Sequence, residues 1–143
     1  MKYLVINGPN LNMTGKREPE IYGSETLDDI NAEIKAFANG KGVEVDYYQS
    51  NHEGAIIDTI HASMGVYDGI VMNPGAYTHY SYAIRDAVAS VNVPVVEVHI
   101  SDIHAREEFR KISVIAPVCV KQIYGLGKKG YMVAIDHLMN MGE

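Results

Sequence analysis

The sequence predicts a single α/β domain in which helices cover both faces of a five-stranded parallel sheet. Five apolar segments alternate with segments whose apolar residues recur at helical spacing. Strands that alternate with helices in this way are typical of β-α-β units and a parallel sheet. The chain has 143 residues, which fits one domain over 1–143 with a core of its own.

The first three elements are a strand, a helix and a second strand. Residues 3–7 (YLVIN) form a short apolar run, which indicates a buried strand. Ser24 or Thr26 can cap a helix that runs to about Asn39, because its apolar residues keep helical spacing and glycines follow it. Residues 43–49 (VEVDYYQ) have the composition of a strand.

The same alternation continues through the middle of the chain. Asn51 can cap a second helix. The apolar residues expected on the inward face of that helix are Ile56, Ile57, Ile60 and Met64. Residues 69–73 (GIVMN) form a third strand, which a Pro-Gly pair ends, and residues 80–91 form a third helix with one apolar side.

Four further elements complete the chain. Residues 94–100 (PVVEVHI) form a fourth strand, and a short charged helix is expected over about 103–111. A fifth strand is expected near 117–120, and a last helix from about 128 to 140. This series indicates a flavodoxin-like, three-layer sandwich with the strand order 2-1-3-4-5.

Polar residues follow three strands of this predicted sheet. Ligands of such sheets bind beyond the carboxyl ends of the strands. The segments NGPNLN, NPGAYTH and EVHIS, which stand at the ends of strands one, three and four, should therefore meet at one site.

Composition and charge exclude several functional classes. The formal net charge of −6 and the lack of basic clusters argue against nucleic-acid binding. No apolar run approaches the roughly 20 residues of a membrane span, and the first apolar stretch is too short for a signal peptide. Cys119 is the only cysteine, so no internal disulfide can form, and a cytoplasmic protein is expected.

The EVHIS segment is the strongest local indication of chemistry. Glu97 and His99 are two residues apart on a strand and point to the same face. A carboxylate beside an imidazole can fix its tautomer and raise its basicity. A buried structural pair is the alternative. Ser101 and Asp102 then begin a helix, whose free N–H groups favour an anion.

The other two segments carry amides and an imidazole. Asn73 can present its amide and His79 a ring nitrogen, although a surface histidine or a cap is an equally simple interpretation. NGPNLN can be a Gly-Pro turn with capping asparagines or a rim of amide donors. Its spacing does not fit a Walker phosphate loop, and the G-x-G-x-x-G dinucleotide fingerprint is absent.

Metal and Schiff-base chemistry find little support. The six histidines include no H-x-x-x-H pair, and Cys119 has no partner thiol. A Schiff base needs a lysine in a desolvated pocket, and none of the eight lysines lies deep in a predicted strand. The residues therefore suggest proton transfer on a small anionic substrate without metal or cofactor.

One irregular segment is unusually long. NGPNLNMTGKREPEIYG runs from residue 7 to residue 23 and has the pattern of neither a helix nor a strand. Irregular connections longer than about 12–15 residues are uncommon in compact domains and are usually functional or disordered. This one carries Arg17 and Tyr22.

These residues also carry a resemblance to a known family. The stretches NGPNLN, G-K-REP-E-IYG, YYQSNHEGAIID, NPGAYTHYSYAIRDA, P-VVEVHISDIHAREEFR and YGLGKKGY, between residues 7 and 131, resemble type II dehydroquinases. The resemblance implies a hydro-lyase of the shikimate pathway and aromatic amino acid biosynthesis. It would convert 3-dehydroquinate to 3-dehydroshikimate by anti elimination of water through an enolate, without metal, Schiff base or cofactor.

The resemblance also assigns catalytic roles. Tyr22 matches the family's base, used as a tyrosinate, and Arg17 matches the residue that keeps it charged. His99 matches the general acid that protonates the departing hydroxyl, with Glu97 behind it. Asn10 matches the residue that holds a water at the enolate oxygen.

Substrate contacts and assembly follow from the same resemblance. The matching binding residues are Asn73, His79 and Arg110 for the hydroxyls, the N–H groups of Ile100 and Ser101 for the carboxylate, and Asp86, which reaches a neighbouring subunit's site. The implied assembly is a homododecamer of four trimers. The segment at about 15–23 would be a lid that opens for substrate and closes over it.

One departure from the family has a physical consequence. Position 102 is Asp, where the family usually has Asn. Asp is a good cap, but it adds a negative charge beside the substrate's carboxylate. We therefore expect weaker ground-state binding than in a typical member.

Three other functions are weighed against the dehydratase. A non-catalytic carrier of flavin or nucleotide is disfavoured because no Ser/Thr-rich phosphate loop follows strand one. A Schiff-base dehydratase would act on the same substrate through a lysine. A receiver-type signalling domain is disfavoured because no acidic pair follows strand one.

Overall fold

The computed structural model describes residues 1–16, 20 and 24–142 and contains one parallel sheet. The strands are β1 (Lys2–Asn7), β2 (Glu44–Gln49), β3 (Gly69–Asn73), β4 (Val95–Val98) and β5 (Lys121–Ile123). Their order is β2-β1-β3-β4-β5, and every neighbouring pair is parallel, so the predicted topology is confirmed.

Helices cover both faces of this sheet. Four α-helices lie in the described ranges: α1 (Leu27–Lys41), α2 (Glu53–Ala62), α3 (Tyr82–Ser90) and α4 (Lys129–Met141). Short 3-10 helices join them at Leu11–Met13, Gly75–His79, Ile103–Ala105, Glu108–Lys111 and Ala116–Val118. No helix in this part of the chain is long and apolar enough to cross a lipid bilayer.

Side chains that alternate along the strands form two hydrophobic cores. Val5 pairs with Val71 across β1 and β3, and both pack in the core formed with α1 and α4. Their neighbours Ile6 and Met72 pack in the opposite core, formed with α2 and α3. Strands of a parallel sheet are buried on both faces, which explains their continuous apolar runs and the three layers.

Helix α1 begins and ends with strong local signals. Thr26, one of the two caps expected from the sequence, accepts a hydrogen bond from the N–H of Asp29, whose carboxylate accepts from the N–H of Thr26. This reciprocal capping box satisfies two donors of the first turn. Gly42 ends the helix at a φ of 72°, a left-handed conformation that glycine adopts without strain.

Two expectations for α2 are wrong. Asn51 does not cap the helix, because its side-chain oxygen accepts hydrogen bonds from the N–H of Asn10 and the amide of Gln49. It tethers the loop after β1 instead. Met64 lies beyond the end of the helix and is 49% exposed, so it does not belong to the inward face.

The segment from 103 to 111 is not the single helix that the sequence predicted. It forms two 3-10 helices, separated by extended backbone at Arg106 and Glu107. Ile103 is its only buried apolar side chain. Most helical stability in proteins comes from packing an apolar face, and this segment has almost none to pack.

The fifth strand lies a few residues later than expected. Ala116–Val118 is a 3-10 helix that contains Pro117, and β5 occupies Lys121–Ile123. Proline has no N–H to donate to a strand ladder, so pairing with β4 begins beyond it. β4 itself ends at Val98, just before the candidate histidine.

The loops that follow β1 and β3 approach each other at two glycines. A Cβ atom at Gly8 would lie 2.5 Å from the carbonyl oxygen of Pro74. Gly75 has a φ of 61°, and a Cβ there would lie 2.9 Å from the carbonyl oxygen of Pro9. The close approach of these two loops therefore requires glycine on both sides.

Gly8→Ala is expected to destabilise the protein by about 1–3 kcal/mol, because the added methyl group forces the two backbone segments apart. The free energy of unfolding in urea measures this change. Gly54→Ala is the matched control, since Gly54 lies in α2 and a methyl group added there would meet no atom within 4 Å. The control should leave stability unchanged or raise it by up to about 1 kcal/mol. Equal stability of both variants would contradict the tight contact.

Candidate active site

A cleft lies at the carboxyl edge of the sheet, where the segments after β1, β3 and β4 converge. Its volume is about 110 Å³. The lining residues are Pro9, Asn10, Leu11, Thr14, Asn73, Gly75, Ala76, His79, His99, Ile100, Ser101, Ile103, Arg106 and Arg110. The three segments expected to meet at one site therefore do so.

His99 lines the cleft, and Glu97 lies behind it. His99 follows the last residue of β4 and is 5% exposed, while Glu97 is fully buried. The Nε2 atom of His99 lies 2.5 Å from Oε2 of Glu97. Since a carboxylate accepts, Nε2 donates its proton to Glu97, and Nδ1 is the ring nitrogen that remains for a ligand.

Two residues that the sequence did not indicate also bind Glu97. Ser113 donates to Oε1 at 2.8 Å, and Gln122 of β5 donates to Oε2 at 2.8 Å. Burial raises the pKa of Glu97, but the hydrogen bond and charge of His99 and the bonds from Gln122 and Ser113 outweigh it. The pKa is held below its usual value.

Asn73 is held from two sides at the end of β3. Its side-chain oxygen accepts from the N–H of Gly75 at 3.1 Å, and its Nδ2 donates to the hydroxyl of Tyr131 at 3.3 Å. Tyr131, on α4, is fully buried and donates in turn to the side-chain oxygen of Asn7 at 2.5 Å. This leaves the second N–H of the Asn73 amide as the donor available to a ligand.

His79 closes another side of the cleft. Its Nδ1 lies 2.8 Å from the carbonyl oxygen of Ile112 and donates to it, so Nε2 is the free position of the neutral ring. Burial lowers the pKa of His79. The hydrogen bond to Ile112 raises it, and the charges of His99 and Arg110 lower it further. A neutral imidazole that can accept a hydrogen bond is therefore favoured.

Two arginines line the cleft, and Arg106 lies at the end formed by Ile100 and Ser101. Arg106 lies with Nη1 3.5 Å from the hydroxyl of Ser101. Arg110 bonds Glu107 at 3.3 Å, and its guanidinium lies over the ring of Phe109. Guanidinium groups suit a carboxylate or phosphate ligand, so this end favours an anion.

The anion-binding helix start expected after Ser101 is wrong as a helix. The 3-10 helix there, Ile103–Ala105, has only three residues, too few for a helix dipole of useful size. Asp102 caps this turn by accepting from the N–H of His104 at 2.9 Å. The anionic preference of this end rests on Arg106 instead.

Asn10 lines the cleft in a left-handed conformation, with a φ of 69°. Its N–H donates to Asn51 at 3.0 Å, which holds the loop in place. Asparagine tolerates this conformation better than most residues.

The structure does not bring every described candidate from the sequence to the cleft. Asp86 lies on α3, exposed to solvent and away from the cleft of its own chain. Arg17 and Tyr22 lie outside the described residues, as does most of the segment at 15–23. At its start, Gly15 has a φ of 87°, and a Cβ there would lie 2.7 Å from the carbonyl oxygen of Glu25.

The cleft offers neither a metal cluster nor a lysine within the part of the chain that the structure describes. No group of three or more His, Cys, Asp or Glu side chains that could hold a metal ion occurs among those residues. The described residues that line the cleft include no lysine. The lining residues that sequence analysis missed include Leu11, Thr14 and Arg106, of which only Arg106 carried a signal, its position in the charged 103–111 segment.

Comparison with known proteins gives consistent matches. The family model "Dehydroquinase class II" matches residues 1–139. The chain is 56% identical over 140 residues to a protein of Bacillus pumilus named 3-dehydroquinate dehydratase, covering 98% of this chain and 95% of that one. It is 60% identical over 136 residues to a protein of the same name from Halalkalibacterium halodurans, covering 95% and 94%.

Solved structures agree with these matches. The crystal structure of the type II dehydroquinase from Butyrivibrio crossotus superimposes with a TM-score of 0.96 at 59% identity, covering 97% of both chains. That from Propionibacterium acnes gives a TM-score of 0.94 at 42% identity, covering 97% of this chain and 96% of that one. Because a single family model spans almost the whole chain and relatives share more than half of its residues, the chain belongs to the class II dehydroquinase family.

Proposed function

We propose that this protein is a type II 3-dehydroquinate dehydratase, a hydro-lyase that converts 3-dehydroquinate to 3-dehydroshikimate in the shikimate pathway. The names of its relatives support this activity. The observation that carries the proposal is the buried Glu97–His99 pair, whose histidine lines a cleft that Arg106 and Arg110 also line. A proton donor and an anion-binding end are what elimination of water from a hydroxy acid needs.

The reaction begins with removal of a proton next to a ketone. Tyr22, as a tyrosinate, takes the proton from carbon two, and the electron pair moves onto the ketone oxygen to give an enolate. A phenol ordinarily ionises near pH ~10, so the Arg17 guanidinium is assigned to favour the charged form. A water held by Asn10 donates to the enolate oxygen, where negative charge develops. These roles follow from the family resemblance.

His99 acts in the second half of the elimination. The enolate collapses, the bond from carbon one to its hydroxyl breaks, and His99 donates the proton on Nδ1 so that the group leaves as water. The Nε2–Glu97 hydrogen bond supports this role because it orients the ring and leaves Nδ1 toward the cleft.

Substrate binding uses the rest of the lining. Asn73 donates its free N–H to a substrate hydroxyl, and His79 and Arg110 bind others. The N–H groups of Ile100 and Ser101 take the carboxylate, with Arg106 at that end supplying positive charge.

The absence of metal and Schiff-base chemistry is part of the proposal. All eight lysines lie in the described residues, and none of them lines the cleft. A carbinolamine therefore has no amine from which to form there. The acid–base groups named above supply the proton transfers without a Lewis acid.

We also infer a lid and an oligomer. The segment at about 15–23 closes over the substrate to deliver Arg17 and Tyr22. The chain assembles as a dodecamer of four trimers in which Asp86 reaches a neighbouring subunit's cleft. Large exposed apolar side chains beside the cleft support a subunit contact on this face: Tyr80, Tyr82, Phe109 and Ile112.

The first test is the reaction itself. Incubation with 3-dehydroquinate should produce the ultraviolet absorbance of a conjugated enone, at an equal rate with and without a chelator. Borohydride added with substrate should leave the enzyme active, because no imine forms. An inactive protein, or one that borohydride inactivates only with substrate present, would overturn the proposal.

Tyr22→Phe should lower kcat by at least about 10²–10⁴-fold, the usual contribution of a positioned base. Substrate binding and the circular dichroism spectrum should be retained, since only one hydroxyl is removed. Tyr124→Phe is the control, because Tyr124 is exposed and does not line the cleft. Near-normal turnover in the Tyr22 variant would remove it as the base.

Asp102→Asn should lower the Michaelis constant roughly two- to threefold, because it removes a solvent-screened negative charge next to the carboxylate site. Asparagine can still cap the 3-10 turn, so stability should change little. Initial rates at varied substrate concentration measure the effect. An unchanged Michaelis constant would show that Asp102 does not weaken binding.

A further inference from the structure

All the side chains that bind Glu97 are hydrogen-bond donors. His99 Nε2 and Gln122 Nε2 reach Oε2, and the hydroxyl of Ser113 reaches Oε1. Glu97 is fully buried, so bulk solvent does not reach its carboxylate. Its charge state therefore depends on these three side chains.

The direction of the Ser113 hydroxyl is fixed by its backbone neighbours. Its oxygen accepts from the N–H of Ala116 at 3.0 Å and from the N–H of Ile115 at 3.3 Å. A hydroxyl has two acceptor positions and one proton. With both acceptor positions occupied, the proton is directed to Oε1 of Glu97.

Gln122 is placed by the sheet itself. It is the register partner of Glu97 across β4 and β5, and its amide NH₂ group lies 2.8 Å from Oε2. An amide NH₂ group donates and cannot accept. Neither Ser113 nor Gln122 therefore offers an acceptor to the proton of a neutral Glu97.

The hydrogen bonding of Glu97 also determines which ring nitrogen of His99 carries a proton. A protonated Glu97 could bond His99 only by donating from Oε2 to Nε2, whereas Ser113 and Gln122 donate to the carboxylate and so favour its ionised form. While Glu97 is an anion, Nε2 of His99 has to carry a proton. Only Nδ1, the nitrogen left for the cleft, is then free to gain and lose its proton.

We propose that Ser113 and Gln122 are positioning residues for catalysis: they keep Glu97 ionised and thereby determine that Nδ1 of His99 exchanges its proton with the substrate. The inference rests on the proposed function for the role of His99 as the acid. Neither residue touches the cleft, so both act through Glu97.

The surrounding titratable groups leave this arrangement intact. Among the described residues, those with an electrostatic effect on or from Glu97 are His99, His79 and Cys119. Burial, aided by the charge of Glu97, raises the pKa of Cys119 to about 12, so the thiol stays neutral. Burial lowers the pKa of His79, which favours its neutral ring. His99 is therefore the titratable side chain that bonds Glu97 directly.

The test compares Gln122→Leu and Ser113→Ala with Ser113→Thr, which keeps the hydroxyl. Ser63→Ala is the control, because Ser63 is a buried serine whose hydroxyl bonds only the carbonyl of Ile60 within the described residues. Ser113 also binds two backbone N–H groups, so Ser113→Ala can fail to fold for that reason alone. In that case Gln122→Leu is the variant that tests the inference.

The first readout is the unfolding equilibrium at pH 7 and pH 4, which does not depend on activity. The folded pKa of Glu97 lies below its unfolded value, so its ionisation stabilises the fold above about pH 4.3 and is lost as the pH falls through the folded pKa. Losing a donor raises the folded pKa. Gln122→Leu and Ser113→Ala should therefore increase the unfolding constant at pH 7 by about tenfold for each unit of pKa change, and by less at pH 4, which lies closer to the folded pKa. Ser63→Ala should increase it equally at both.

The second readout is the pH profile of kcat. In Gln122→Leu and Ser113→Ala, kcat should fall about tenfold, short of the ~10²–10⁴-fold due to a whole acid. The acidic limb should move to higher pH, because Glu97 becomes protonated earlier, and Ser113→Thr should restore the original limb.

The two readouts separate the inference from the proposed function. A wild-type protein without dehydratase activity would overturn the proposed function and the catalytic part of this inference. The unfolding data would still test whether Ser113 and Gln122 keep Glu97 ionised. Equal destabilisation at both pH values with an unmoved acidic limb would show that Ser113 and Gln122 are only structural, even if kcat falls.

Discussion

A carboxylate buried in the middle of a sheet costs several kcal/mol unless donors meet its oxygens. Glu97 lies in this position on β4, between β3 and β5. Its donors come from three places: His99 just beyond the same strand, Ser113 in the following connection and Gln122 on β5. The docking of β5 and of the connection before it is therefore what allows a charge to lie beneath the cleft.

Hydrophobic periodicity is sufficient to predict most of this fold. The sheet order and four of the strands follow from apolar runs that alternate with helical spacing, because both faces of the sheet are covered. The wrong predictions occur where local backbone geometry, rather than hydrophobic periodicity, determines the structure. Extended residues Arg106 and Glu107 interrupt the expected helix, and Pro117 delays β5. Asn51 stands where a helix cap is expected, but its side chain accepts a hydrogen bond from a loop 41 residues earlier in the chain.

The candidate site is predictable only in part. The two-residue period of a strand predicts that Glu97 and His99 share a face, and parallel topology predicts that three loops meet. Ser113 and Gln122 lie 16 and 25 residues from Glu97, and nothing in their local sequence indicates the contact. Such contacts are set by how distant elements dock, so they become visible only in the folded chain.

The hydroxyl of Tyr131 joins the last helix to the first and third strands. It links Asn7, 124 residues earlier in the chain, to Asn73, 58 residues earlier. Until α4 is in place, both amides beneath the cleft lack this partner, and Asn73 keeps only its bond to the N–H of Gly75. A ligand bond to Asn73 therefore depends on the docking of α4, a helix that does not itself line the cleft.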